Sequence, residues 1–267
     1  MRQFVCQSSP DAFGRIKLSA RDSRYLLKVL RQVEGDIIDT RLPSGILQKM
    51  RLELSGSDAF LTPATDCADE AAVQGVRSAE LSAAGSGQEV ELWLFQFLPK
   101  PQKMDLIVRQ AAECGVRYIV PVLGDYSVKN DADARLDRWE RIIREARQQS
   151  GSPVNTEIMP VMSVEHAVDK WSNGEEAAAF VLHESPSYSA ECLFEAARSG
   201  KVKRTAVAVG CEGGMSEREL EVLEEAGFEP LHFVTNVLRA ETAAIYGLAV
   251  VQQVLLGGFD KDGCNKD

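Results

Sequence analysis

The chain has 267 residues, 45% of them hydrophobic, and a formal net charge of −10 at pH 7, which fits one large or two ordinary globular domains. No stretch reaches about 18 uninterrupted apolar residues and no charged, then apolar leader opens the chain, so neither a membrane span nor a secretory signal is expected. The six cysteines are scattered without a CxxC pair, which argues for a reducing, cytoplasmic environment and against a disulfide framework or a metal site.

The N-terminal stretch is basic although the whole chain is acidic. Residues 1–51 contain ten Lys or Arg against five Asp or Glu, whereas residues 52–86 contain one Arg against six acids. Lys and Arg side chains neutralise RNA phosphates, so the net negative charge does not exclude an RNA partner. We predict that the phosphate contacts come from Arg2, Arg15, Lys17, Arg24 and Arg31, with Arg21 and Lys28 beside them.

Residues 1–82 are predicted to form a small β-barrel-like module. Short strands rich in β-forming residues are expected at 3–6, 15–18, 36–40 and 50–54. One helix is expected from Ala20 to Arg31, with Ser19 as its N-cap. The small, uncharged residues 83–88 are predicted to be the linker that ends this domain.

Residues 89–257 alternate strands with helices, which is typical of an α/β domain with a largely parallel sheet. The predicted strands are Val90–Phe97, Tyr118–Val122, Thr156–Pro160, Ala178–Leu182, Thr205–Val209 and Leu231–Val234. The predicted helices are 102–114, 133–149, 163–171, 188–198, 216–226 and 240–256. Residues 258–267 are predicted to be a polar tail.

A glycine-rich turn follows the strand that ends at Val209. Glycines here let the backbone approach a ligand closely, and Ser216 with Glu219 forms a capping box that fixes where the next helix begins. The spacing is neither GxGxxG nor a P-loop. A tight turn without a ligand is the alternative interpretation.

Arg239 opens the apolar helix after the last strand. Its guanidinium could hold a substrate carbonyl or phosphate, or it could be an ordinary surface charge paired with Glu241. The helix from Thr242 to Leu256 is apolar almost all round, so it is either central to the domain or, as we favour, part of a subunit interface.

Other polar residues indicate a functional role less strongly. A lone His183 at a strand end is more often structural than catalytic, and Cys211 lacks a nearby histidine that would support a nucleophile. Arginines recur at every third position of the helix at 133–149, which indicates a solvated face; they are Arg135, Arg138, Arg141, Arg144 and Arg147.

Several motifs, in order and spacing, resemble those of the RsmE family, bacterial 16S rRNA uracil-N3 methyltransferases of the SPOUT superfamily. The matching segments are Leu98-Pro99-Lys100, Lys103-Met104-Asp105, Ala111–Val116, Arg138-Trp139, Glu145-Ala146, Gln149-Ser150-Gly151, Val209–Gly214, Val237-Leu238-Arg239 and Glu241-Thr242-Ala243. The resemblance implies an N-terminal PUA-like RNA-binding domain and a C-terminal SPOUT domain with a deep trefoil knot, in a homodimer.

The resemblance also implies methylation of N3 of a specific uridine in the decoding region of 16S rRNA, with S-adenosylmethionine as methyl donor. Arg239 and Glu241 would be catalytic; Glu212 is a second candidate base, and Glu241 could instead only orient Arg239. The residues that would bind the cofactor are Leu182, His183, Gly210, Glu212, Gly213, Gly214, Thr235, Asn236, Val237, Leu238 and Thr242. The alternatives are a SPOUT enzyme for another RNA position and a non-catalytic RNA-binding protein.

The chain departs from the family pattern at five positions. Cys211 replaces a proline, Phe233-Val234 stands where Leu-Gly is usual, Pro101 replaces a glycine and Ser152 an arginine. These departures concern the cofactor loops and one RNA contact.

Overall fold

The computed structural model describes residues 3–56, 58–64, 90–127, 135–171 and 174–257. The described residues form two compact units. Unit 1 contains residues 3–64 and Arg147–Asn155, and unit 2 contains residues 90–146 and 156–257. Arg2, the predicted linker at 83–88 and the predicted tail at 258–267 lie outside the described residues.

Unit 1 is built on a five-stranded, mostly antiparallel sheet. Its elements are β1 (Phe4–Val5), β2 (Ile16–Lys17), α1 (Ala20–Arg24), β3 (Ile37–Arg41), β4 (Leu47–Ser55) and β5 (Asp58–Pro63). The strand order is β1-β3-β4-β5-β2, and only the β1–β3 pair is parallel. Strand β5 was not predicted from the sequence.

The helix of unit 1 begins as predicted but ends earlier. The Ser19 hydroxyl accepts a hydrogen bond from the Asp22 amide, which confirms the N-cap. After Arg24 the chain continues as a π-helical turn, Tyr25–Val29, instead of an α-helix to Arg31. Arg31 has a φ of 57°, and this left-handed conformation ends the helical path.

Residues 147–155 pack within unit 1, which nothing in the sequence indicated. The Arg41 guanidinium donates to the Gly151 carbonyl at 3.1 Å, and the side-chain amide of Gln3 donates to the Arg147 carbonyl at 3.0 Å. Arg147 is buried and donates to Asn155 at 2.7 Å. The prediction of a solvated arginine face is therefore wrong at this position.

Unit 2 is a parallel sheet between two helical layers, so the predicted α/β class is confirmed. Its strands are β6 (Glu91–Phe97), β7 (Tyr118–Val122), β8 (Glu157–Ile158), β9 (Ala177–Leu182), β10 (Arg204–Val209) and β11 (Phe228–Leu231). Its helices are α2 (Pro101–Glu113), α3 (Leu136–Ser150, whose last turn belongs to unit 1), α4 (Val164–Val168), α5 (Glu191–Ser199), α6 (Glu217–Glu225) and α7 (Ala240–Leu255). Every pair in the order β11-β9-β10-β6-β7-β8 is parallel.

Both faces of this sheet are buried. Along β6, Leu92 and Leu94 face the core formed with α2, α3, α5 and α7, while Trp93 and Phe95 face the core formed with α4 and α6. This alternation fits a parallel strand covered on both sides. Among the described residues, no helix is long and apolar enough to cross a membrane.

Strand β11 lies three residues earlier than the predicted Leu231–Val234. The strand contains Pro230, although proline cannot donate to a sheet ladder. However, β11 is an edge strand that pairs only with β9, and Pro230 lies opposite Val181 in that pair. His232–Val234 thus belong to the loop that follows.

Candidate active site

Three loops of unit 2 enclose a cavity of about 500 Å³. They follow β9, β10 and β11, which are neighbours in the sheet and all parallel. Their carboxyl ends therefore lie at the same edge, where ligands of open α/β sheets usually bind. The two strand-to-helix turns at 210–214 and 235–239, predicted to form one site, both line this cavity.

The glycine-rich turn after β10 is compact. Gly214, with a φ of 76°, donates its amide proton to the Cys211 carbonyl at 3.0 Å. A Cβ added to Gly210 would lie 2.9 Å from the Gly214 Cα, so a larger residue cannot replace Gly210 without moving backbone. This turn therefore exposes main chain to the cavity at a position where side chains are excluded.

Cys211 supports the turn and is unsuited to be a nucleophile. Its thiol is buried and donates to the Gly214 carbonyl at 3.5 Å. Burial is the main cause that raises the pKa of this thiol, so it stays protonated at neutral pH.

The capping box predicted at the start of α6 is present, and its glutamate also contacts a second loop. The Ser216 hydroxyl accepts from the Glu219 amide, and the Glu219 carboxylate accepts from the Ser216 amide at 2.8 Å. The other oxygen of this buried carboxylate accepts from the Asp125 amide at 2.7 Å. Glu219 thus joins the loop after β7 to the end of the glycine-rich turn.

His183 organises the loop after β9. Its Nδ1 accepts from the Ser185 amide at 3.0 Å, and its ring packs edge-on against Tyr188 at 5.0 Å. Its amide donates to the Leu231 carbonyl at 3.0 Å, which connects the start of the loop after β9 to the end of β11. These contacts fit the structural interpretation of this histidine, although it also lines the cavity.

Arg239 stands at the rim of the cavity. It is the N-cap residue of α7, and its carbonyl accepts the Ala243 amide at 2.7 Å, which fixes its backbone. Its side chain is exposed and lines the cavity. A rigid backbone with an open guanidinium is suited to contact a substrate that approaches from solvent.

Lys103, on α2, lies between two carboxylates that the sequence placed far apart. Its Nζ is 2.9 Å from Glu241 Oε2 and 3.4 Å from Glu212 Oε1. The contact with Glu241 raises the pKa of Lys103 in spite of partial burial. Burial alone would raise the pKa of Glu241, but its backbone hydrogen bond and Lys103 outweigh burial and lower it. Both side chains are therefore charged at neutral pH.

Most of the predicted cofactor residues line the cavity. They are Leu182, His183, Gly210, Glu212, Gly213, Gly214, Thr235, Asn236, Val237 and Leu238. Thr242 is exposed on α7, and neither it nor Glu241 is among the lining residues. Sequence reasoning missed Lys103, Phe233 and Tyr246 as lining residues. Within the part of the chain that the structure describes, no cluster of His, Cys, Asp or Glu is arranged as a metal site.

The predicted RNA-binding residues of unit 1 fall into two groups. Arg24 and Arg31 are exposed on and just after the helix. Arg15 instead stacks on Phe60 at 3.8 Å, and Lys17 pairs with Asp58 at 2.7 Å. The charges of Arg15 and Lys17 are thus partly committed to neighbouring side chains.

Comparison with known proteins gives the fold and the family. The RNA methyltransferase domain model matches residues 86–252. Ribosomal RNA small subunit methyltransferase E of Aquifex aeolicus is 32% identical over 53% of this chain and 59% of its own length. Ribosomal RNA small subunit methyltransferase E 2 of Borreliella burgdorferi is 31% identical over 62% of this chain and 67% of its own length.

A solved structure shares the fold over nearly the whole chain. It is ribosomal RNA small subunit methyltransferase E from Neisseria gonorrhoeae bound to S-adenosylmethionine, with a TM-score of 0.75 and 23% identity. The match covers 95% of this chain and 98% of that one. The chain therefore belongs to the RNA methyltransferase domain family and, within it, to the ribosomal RNA small subunit methyltransferases E.

Proposed function

We propose that this chain transfers a methyl group from S-adenosylmethionine to N3 of a specific uridine in 16S rRNA. The observation that carries the proposal is the cavity shared by the loops after β9, β10 and β11, with Arg239 at its rim. Family membership supports the same reaction, since the relatives carry the name of a small-subunit rRNA methyltransferase.

The cavity fits the proposed cofactor. Its volume of about 500 Å³ lies within the usual range for small-molecule sites. The turn from Gly210 to Gly214 offers main-chain groups where side chains are excluded, and Leu182, Leu231 and Leu238 offer apolar surface. These residues would hold S-adenosylmethionine, which when bound supplies an electrophilic methyl group on a sulfonium sulfur.

Arg239 would stabilise the charge that develops on the substrate. Uracil N3 carries a proton that has to leave, and negative charge then spreads over the two flanking carbonyl oxygens. A preorganised guanidinium donates hydrogen bonds to such oxygens more strongly as they become charged. Arg239 would therefore favour the deprotonated base and orient it toward the methyl donor.

Glu241 would act mainly as a positioning residue. A carboxylate whose pKa is lowered by an ammonium neighbour is a weak proton acceptor. Glu212 also contacts Lys103, so both carboxylates are already paired with an ammonium in this arrangement. We propose that the N3 proton passes to solvent and that Arg239, rather than a general base, makes its departure favourable.

Substitution of Arg239 tests this mechanism. We expect Arg239→Ala to lower kcat by about 10²–10³-fold, the usual cost of losing one such donor. Arg239→Lys keeps the charge without the fork of donors, and we expect its rate to keep rising to a higher pH than that of the wild type, because the deprotonated uracil is stabilised less. Methylation of 16S rRNA is measured by mass spectrometry and cofactor binding by calorimetry.

The outcomes separate the alternatives. Near-normal methylation by Arg239→Ala with intact cofactor binding would contradict the role of Arg239. A wild-type protein that binds no S-adenosylmethionine would indicate a non-catalytic RNA-binding protein. A methylated nucleotide outside 16S rRNA would indicate another substrate.

The proposal also includes a cytoplasmic location, where ribosomes assemble. It includes three further features that we infer from family membership. Unit 1 would be a PUA-like RNA-binding domain, the segment around β10, β11 and α7 would form a trefoil knot, and the enzyme would be a homodimer. Large exposed apolar side chains at the cavity support an interface: Val237 and Tyr246 line it, and Val234 lies in the same loop as Val237. An experimental structure with bound cofactor and RNA, with sedimentation equilibrium for the oligomeric state, tests all three.

A further inference from the structure

A second cavity of unit 2, of about 850 Å³, borders the proposed cofactor site. We call it the basic groove; it is lined by Lys100, Pro101, Gln102, Lys103, Asp105, Arg135 and Arg138. Four of these seven side chains are cations and one is an acid. The groove thus has the charge of an anion-binding surface.

The basic groove and the proposed cofactor cavity are connected in two ways. First, Lys103 lines both the groove and the cavity. Second, the Lys100 amide lies 3.3 Å from Glu212 Oε1, and Glu212 lines the cofactor cavity. A chain lying in the groove would therefore pass directly beside the site of methyl transfer.

The ion pairs within the groove show which cations are left for a ligand. Arg138 donates twice to Asp105 Oδ2, at 2.9 and 2.7 Å, and Trp139 donates to the other oxygen of that carboxylate at 3.2 Å. Lys103 is already paired with two carboxylates, those of Glu212 and Glu241. Among the described residues, no ion pair involves Lys100 or Arg135, so these two are the cations of the groove that a ligand can contact without breaking an ion pair seen there.

We propose that the basic groove binds the phosphodiester backbone of single-stranded RNA next to the target nucleotide, with Lys100 and Arg135 as the phosphate contacts. The volume is large enough for a nucleotide with its flanking phosphates, since sites for small ligands range from about 300 to 1,000 Å³. A base can be methylated only when it is unstacked, and holding the backbone beside the cavity would keep the base presented. This inference rests on the proposed function and specifies how its substrate is held.

The double variant Lys100→Gln, Arg135→Gln tests the groove. We expect the salt dependence of binding to a 16S rRNA fragment to become shallower by about 1.4 in log–log slope, because each lost contact to a single strand contributes about 0.7. The KM for RNA should rise with little change in kcat. Cofactor affinity, measured by calorimetry, should stay at the wild-type value because neither residue lines that cavity.

A control variant removes one positive charge elsewhere in unit 2. Lys201 is exposed just before β10, at the opposite end of the sheet from the cavity, and Lys201→Gln should leave the slope, KM and kcat unchanged. An unchanged slope in the double variant, with a normal thermal melt, would overturn the groove proposal. A wild-type enzyme that binds the fragment but methylates no uridine in it would overturn the proposed function instead, while the slope comparison still tests the groove.

Discussion

At the scale of single residues, the site depends on glycines at positions where a side chain would collide with neighbouring atoms. Gly247 on α7 is buried, and a Cβ added there would lie 2.4 Å from Leu182 Cδ1. Leu182 lines the cavity in which we place the cofactor. The size of residue 247 therefore sets the position of a side chain that the ligand would contact.

We expect Gly247→Ala to push Leu182 into the cavity and to weaken cofactor binding by about tenfold, or about 1.4 kcal/mol. Leu182→Ala in the same chain should recover part of this loss, because the displaced side chain is then absent. Calorimetric titration of both single variants and the double variant measures the coupling. Strictly additive effects would show that the two positions act independently.

At the scale of elements, charged side chains tie α4 and α6 together. Arg218 on α6 pairs with Glu165 on α4 and, at 3.4 Å, with Asp125 in the loop after β7. A hydrogen bond from Ser163 is the largest cause that lowers the pKa of Glu165 to about 2, and Arg218 adds to it. The folded chain therefore holds Glu165 ionised below the pH at which an unfolded chain would protonate it.

Because this pKa is lowered on folding, Glu165 stabilises the folded state above about pH 4.5, and the contribution is lost as pH falls toward 2. We expect Glu165→Gln to flatten the decrease of the free energy of unfolding over this range. The effect should be below about 1 kcal/mol, since both partners are half exposed. Urea unfolding at a series of pH values measures it, with Glu225→Gln on α6 as control, and a slope equal to that of the wild type would argue against the pair.

Sequence reasoning identified most elements because their signals are local. The capping box of Ser216 and Glu219 lies within four residues, and the apolar strands of unit 2 need only a short window. By contrast, no sequence feature near Lys103 indicates its contact with Glu241, which lies 138 residues later in the chain. The strand β11 was predicted three residues too late, and the edge position that makes Pro230 acceptable in it is a property of the folded sheet.

At the scale of the whole molecule, the predicted RNA contacts of unit 1 are unequal. Arg24 and Arg31 are exposed, whereas Arg15 stacks on Phe60 and Lys17 pairs with Asp58. A cation that is already paired gains less binding free energy from a phosphate, because it must first break the contact with its partner. The basic surface predicted from composition is thus concentrated at the helix.

We expect Arg24→Gln, Arg31→Gln to reduce the salt slope of RNA binding by up to about 1.4, and Arg15→Gln, Lys17→Gln to reduce it clearly less. The two double variants remove the same formal charge, so each is the control for the other. Fluorescence anisotropy of a labelled 16S rRNA fragment over a salt series gives both slopes. Equal slopes would mean that the ion pairs of unit 1 do not select which cations contact RNA.

Lys103 lines both cavities, and this shared position has a thermodynamic consequence. A molecule in either cavity that draws Glu212 or Glu241 away from this ammonium alters the field felt by a molecule in the other. Linkage requires that such an influence be reciprocal. The factor by which methyl donor changes the dissociation constant of RNA must equal the factor by which RNA changes that of the donor.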